Sequence, residues 1–203
     1  MPDDLAKDAN GSPGTLRAGN FEAQRLAIPG PLLISARRFG DARGVFAETY
    51  SRRDFAALGI VEEFVQDNCS VSTHVGTVRG LHFQLRPRAQ AKLVRVLRGR
   101  VMDVAVDLRP GSPTHGRHIA AELSAQNALM LYVPVGFAHG FVTREPDTEV
   151  AYKVSDTYAP EADRGIAWDD PALGIAWGVD PAAAILSDKD RRLPRLAELG
   201  PSF

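Results

Sequence analysis

One cysteine, Cys69, occurs in 203 residues, so no internal disulfide can form and a reducing compartment suits the chain. No apolar run approaches the ~20 residues that a membrane span requires. The N-terminal stretch carries Asp3 and Asp4 and lacks the apolar core of a secretory signal. These absences point to the cytoplasm. An excess of charge of one sign is also missing: 24 Lys and Arg meet 25 Asp and Glu, a net charge of -1. Neither nucleic acid nor an anionic membrane surface is therefore expected as a partner, and any anion must be held by a local cluster of cations. Internal repeats and low-complexity tracts are absent too.

What is present fits one well-buried domain. Residues 1–26 mix Gly, Pro, Asn, Ser and charge without a sustained period, which predicts a flexible extension ahead of a single domain over 27–203. From Pro31 onward, short runs rich in β-branched and aromatic residues alternate with turn residues. They include LLISARRF, FAETY, EEFVQDNCSVS, HIAAELS, ALMLYVP and TEVAYKVSD. SRRDFAALG reads as a short helix, with Ser51 as cap and Gly59 as stop. KLVRVL and VMDVAVDL, separated by Arg98-Gly99-Arg100, read as a hairpin, and the second strand carries Asp103 and Asp107 on one face with Ala105. The tail has one or two short helical turns at most. Such a succession predicts an all-β sandwich or jelly-roll barrel with a few short peripheral helices.

Several side chains are individually unremarkable. His82, in RGLHFQ, reads first as a half-buried histidine with a backbone partner. Lys92 shares an alternate face with Val94 and Val96, where a lysine either snorkels to the surface or has a job. His139 lies in PVGFAHGF between Phe137 and Phe141, Tyr152 shares a face with Val150 and Val154, and Asp190 ends LSDKD as an ordinary tail charge.

Together, RGLHFQ, QAKLVRVLRG, DVAVDLRPGSPTHG, LSAQN, PVGFAHGF, YKVSDTYAPE and IAWDDPALGIAW occur in an order and spacing that resembles the dTDP-4-dehydrorhamnose 3,5-epimerase family. The likeness covers about residues 27–194 and includes FGDARGVFAETY and FVQDNCSVS. It implies a cupin-type jelly-roll β-barrel and epimerisation of dTDP-4-dehydro-6-deoxy-D-glucose at carbons 3 and 5, a step of dTDP-rhamnose biosynthesis. No cofactor and no metal are implied. His82 would be the base, Asp190 its orienting partner with Asp188 as rival, Lys92 the stabiliser of the oxygen on carbon 4, and Tyr152 the acid on the other face. An imidazole of ordinary pKa ~6.5 suits abstraction near neutral pH, and a fixed cation suits an enolate. The resemblance places His139 in the sugar pocket, Arg43 and Arg79 at the diphosphate, and Phe46 or a neighbour against thymine. Glu48, Gln66, Asn68 and Tyr158 complete the substrate contacts. It also implies a homodimer that exchanges N-terminal strands, so that some of these residues serve the partner's site.

The chain departs from the family pattern at Ala91, where a glycine is expected before the lysine, and at Met102, where an aromatic is common. Inversion at one carbon only remains an alternative, because mono-epimerases share the framework. A metal-dependent cupin is a further reading, since PVGFAH fits a cupin motif; but His82-Phe83-Gln84 stands where a His-x-His pair would supply ligands. A non-catalytic sugar-binding cupin would need no base, acid and cation together.

Overall fold

The computed structural model describes residues 14–200. The strands sort into two main sheets. The larger, of seven strands, has the order β1 (Thr15–Ala18), β2 (Phe21–Arg25), β3 (Leu32–Ala36), β11 (Met130–Val133), β8 (Lys92–Arg98), β13 (Thr148–Val154) and β6 (Gln66–Ser72). The smaller, of five, has the order β10 (His118–Ser124), β9 (Arg100–Asp107), β12 (Phe137–Thr143), β7 (Val78–Gln84) and β14 (Asp163–Gly165). A separate ribbon pairs β4 (Arg38–Asp41) with β5 (Gly44–Ala47). One helix, α1 (Arg52–Ala57), and two 3-10 turns at Asp190–Arg192 and Leu196–Glu198 complete the described elements.

Alternation decides what each strand buries. Val94, Val96 and Val150 of the larger sheet meet Ala105, Phe137 and Phe141 of the smaller in a shared interior. The outer faces are covered as well. Phe55 and Leu58, in and after α1, pack on Phe21, Ile34 and Tyr132, while Trp168 and Trp177 pack on Phe83, Val104 and Val142. Each such side chain contributes about 1.5–3 kcal/mol when fully buried. Because both sheets are covered on both sides, β9 and β12 are almost wholly buried, and Asp103 and Asp107 are 0% exposed. The fold is all-β, a cupin-like barrel. In α1, Ser51 Oγ accepts from the Asp54 N–H at 3.4 Å, as the capping pattern predicts.

Two expectations are corrected. The flexible extension over residues 1–26 does not extend through residues 15–25: β1 and β2 form one edge of the larger sheet, with Phe21 and Ala23 buried. Mixed composition hid two short alternating runs, Leu16 with Ala18 and Phe21 with Ala23, joined at Gly19-Asn20. Residues 1–13 lie outside the described residues. The hairpin of β8 with β9 does not form either. β8 pairs with β11 and β13, and β9 with β10 and β12. Arg98-Gly99-Arg100 instead turns the chain from one sheet into the other. Gly99 has φ +77°, and a Cβ there would collide with Thr148. A strand, turn, strand pattern reads alike for a hairpin and for such a corner.

The Ala91 methyl is accommodated: Ala91 is 0% exposed, its N–H donates to Ser155 Oγ at 2.8 Å, and its carbonyl accepts from the Ser155 N–H at 3.1 Å. Glycine is needed instead where β7 and β12 approach, beside the two histidines. A Cβ on Gly140 would lie 2.8 Å from Arg79 O and 3.1 Å from Gly80 Cα. Gly140→Ala should therefore cost about 1–3 kcal/mol by overpacking and lower the melting midpoint by several degrees. Thermal unfolding checks this, and an unchanged midpoint would mean that the two strands can part without cost.

Candidate active site

Polar side chains reach the barrel interior from both sheets. His82 on β7 and His139 on β12 come from the smaller sheet, and Lys92 on β8 and Tyr152 on β13 from the larger. All four line one cavity of about 420 Å³, together with Arg79, Phe141, Ser187, Lys189 and Asp190. A neighbouring hollow of about 440 Å³ shares His82, Lys92, Tyr152 and Lys189 and adds Gln66, Asn68, Tyr158 and Asp163. The two form a groove of the size that small-molecule sites occupy.

The C-terminal 3-10 turn brings Asp190 to His82, with His82 Nε2 and Asp190 Oδ1 2.6 Å apart. Asp190 is 5% exposed. Burial pushes its carboxyl up, but hydrogen bonds from His82, Ser187 and the Gly80 backbone, with the charge of His82, outweigh that and hold it below the usual range. An ionised Asp190 accepts the Nε2–H of His82, which leaves Nδ1 as the nitrogen able to take a proton. Asp188, the rival partner, is exposed. His82 is thus more than a core histidine with a backbone partner.

Lys92 does not snorkel; it is 8% exposed, and its Nζ donates to the His82 carbonyl at 3.3 Å. Burial lowers its pKa from 10.5 to about 8, against the pull of Asp103 and Asp163. The unfolded chain keeps that proton to higher pH, so between about 8 and 10.5 the contribution of Lys92 to stability rises with pH. Its cationic function runs the other way. Any rate that needs the ammonium falls as pH rises through about 8. Lys92→Arg, whose guanidinium stays charged, should move that alkaline limb of kcat to much higher pH; an unmoved limb would assign it to another group. Tyr152 is a poor candidate for the limb, because burial chiefly, with Cys69 and against Arg79, raises its phenol above the ordinary 10.0. The Tyr152 hydroxyl has no hydrogen-bond partner among the described residues, and its ring packs on the interior cluster.

Known proteins resemble this chain in both sequence and fold. A sequence profile described as dTDP-4-dehydrorhamnose 3,5-epimerase matches residues 25–198. The chain belongs to that epimerase family. The dTDP-4-dehydrorhamnose 3,5-epimerase of Sinorhizobium fredii is 52% identical over 184 residues, which is 89% of this chain and 92% of that protein. The crystal structure of the Bacillus anthracis epimerase, with TDP and PPi bound, superposes with a TM-score of 0.80 at 49% identity, covering 82% of this chain and 94% of that one. A Legionella pneumophila dTDP-6-deoxy-D-glucose-3,5-epimerase in complex with dTDP-4-keto-L-rhamnose gives 0.81 at 40% identity, covering 85% and 93%.

Within this member of the epimerase family, the expected substrate residues divide into two groups. Arg79, Gln66, Asn68, Tyr158 and His139 line the groove with His82. Arg79 is held by Ser72 Oγ at 3.1 Å and the Val71 carbonyl at 3.2 Å. Arg43, Phe46 and Glu48 are not in it. Arg43 and Phe46 sit on the exposed β4–β5 ribbon, Arg43 pairing with Asp41 at 2.5 Å, and Glu48 accepts from Asn20 at 3.2 Å. Sequence reasoning missed Lys189, which lines both hollows and bonds Asp163, the carboxylate that also accepts from the Tyr158 hydroxyl at 3.0 Å. It missed the contact of Asp103 with His139 too, at 2.8 Å from Nε2 to Oδ1. Its place on the same face as Ala105 was a signal, because a carboxylate facing the interior calls for a partner.

Proposed function

We propose that this protein converts dTDP-4-dehydro-6-deoxy-D-glucose to dTDP-4-dehydro-L-rhamnose by inverting carbons 3 and 5. The ketone at carbon 4 acidifies the protons on both neighbouring carbons. His82 Nδ1 removes one of them, Asp190 stabilises the imidazolium that forms, and the electrons move onto the carbon 4 oxygen. Lys92 offsets that negative charge inside a cavity where a buried cation acts strongly. Tyr152 returns a proton from the opposite face. The observation that carries this reading is one cavity lined by His82, from the smaller sheet and paired with Asp190, and by Tyr152, from the larger sheet and with no hydrogen-bond partner for its hydroxyl among the described residues, with the Lys92 ammonium buried beside His82.

The nucleotide needs local cations in a chain of net charge -1. Arg79, which lines the cavity, binds the diphosphate, with Gln66, Asn68 and Tyr158 along the same groove. Arg43, Phe46 and Glu48 act in a second subunit of a strand-exchanging homodimer. Two features support this: the ribbon exposes Val45 at 57% and Phe46 at 69%, and β6, next to the groove, is an unpaired edge of the larger sheet. The enzyme works in the cytoplasm, without nucleic acid or membrane. No helix among the described residues is long and apolar enough to cross a membrane.

Incubation with dTDP-4-dehydro-6-deoxyglucose in deuterated water containing a chelator tests the reading. Deuterium should enter carbons 3 and 5 at full rate. Entry at one carbon alone would make the protein a mono-epimerase, and activity lost to chelator and restored by iron or zinc would make it a metal enzyme.

A further inference from the structure

The His139 ring is anchored from behind. Its Nε2 lies 2.8 Å from Asp103 Oδ1, with His139 6% and Asp103 0% exposed. Asp103 reaches this point because β9 alternates: Val101 and Ala105 pack in the shared interior on the same side, while Val104 and Val106 pack on the outer face. A buried carboxylate is costly unless its charge and both oxygens are matched. Asp103 Oδ2 has no hydrogen-bond partner among the described residues. A purely structural role leaves that orphan oxygen unexplained, since a carboxamide would hold the ring at lower cost.

His139 stands opposite His82 in the β7–β12 register, and each ring is bound to a carboxylate through Nε2. In each, Nδ1 is the nitrogen left for the cavity that the ring lines. The charged and titratable groups around Lys92 come from several elements: His82 on β7, His139 on β12, Tyr152 on β13, Asp103 on β9, Asp163 on β14, and Lys189 beside Asp190. Asp103 and Asp163 favour its ammonium, Asp103 the more strongly, and Lys189 opposes it. Asp163 is already shared by Lys189 and Tyr158.

We propose that Asp103 is a positioning residue of this site: it fixes His139 as the tautomer that offers Nδ1 to a substrate hydroxyl. The inference rests on the epimerase reading and adds a residue to it. Asp103→Asn replaces the carboxylate with a carboxamide that can turn either its oxygen or its N–H to Nε2. It should lower kcat by about tenfold to hundredfold, the scale for partners that orient a functional histidine, and change KM far less. A folded Asp103→Asn with unchanged kcat, or with a rise in KM alone, overturns the proposal. A second measurement needs no variant of Asp103. Long-range ¹H–¹⁵N spectra of the histidine-labelled wild-type protein, with the His139 signals assigned from His139→Gln, should show Nε2–H and an unprotonated Nδ1. The Nδ1–H tautomer would overturn the proposal even if Asp103→Asn fails to fold. Wild-type protein that exchanges no deuterium would instead remove the epimerase reading and leave the tautomer result standing.

Discussion

His82→Ala should lose epimerisation and solvent exchange together, by about a hundredfold to ten-thousandfold, the range for removal of a general base. Every event at carbon 3 or carbon 5 begins with proton removal, so no partial reaction bypasses the loss. His82 is the group tied to an ionised carboxylate, at 2.6 Å from Asp190, while the nearest rival, Lys92, is held as an ammonium by Asp103 and Asp163 at pH values below about 8. The side chain of His82 is 31% exposed to the groove, so truncation leaves space that water can fill rather than a sealed void. Folding should survive, and binding of dTDP should be little changed. Deuterium content and product stereochemistry, measured on the same samples, check the result. Exchange at the wild-type rate in His82→Ala would transfer the role of base to another group.

Tyr152→Phe should separate the two halves of the reaction. His82 still forms the enolate and returns deuterium to the side from which the proton came, so label washes in with retained configuration. Net inversion, which needs a donor on the opposite face, falls by the further hundredfold or more expected for a missing general acid, to the order of 10²–10⁴. The substitution is a clean one. The Tyr152 hydroxyl has no hydrogen-bond partner among the described residues to orphan, and the ring that packs on the interior cluster is kept. Equal loss of exchange and inversion would return Tyr152 to the core role that its place between Val150 and Val154 first suggests.

Much of the site was legible in the sequence, and its limits have physical causes. His82, Lys92, His139 and Tyr152 lie on strands whose alternation shows which residues share a face, and all four face one cavity. The burial of Lys92 was not legible, because a lysine among valines reads the same at a wet barrel mouth as in a closed interior. Choosing between Asp188 and Asp190 required knowing where a 3-10 turn ends, which no pattern in LSDKD specifies. Arg43 and Phe46 were expected at the diphosphate and the thymine, but they lie on an exposed ribbon outside this chain's own groove. The first strands were missed because each spans only four or five residues, Thr15–Ala18 and Phe21–Arg25, too short for a period to stand out from turn-rich surroundings.

By itself the sequence determined the all-β class, the capped helix after Ser51, the chemical groups available, and, through the order of its motifs, the family. Those properties are local or cumulative: alternation reports how much of a strand is buried, and a motif reports which groups recur together. Tertiary structure decided the rest. It put β8 and β9 in different sheets, joined His82 to a carboxylate 108 residues away, and buried a lysine against the carbonyl of that same histidine. Alternation says that a residue faces inward, but not which strand faces it. Two sheets covered on both sides admit many pairings with the same pattern, and only closing the barrel selects the one that gathers His82, Tyr152 and Lys92 around a single cavity.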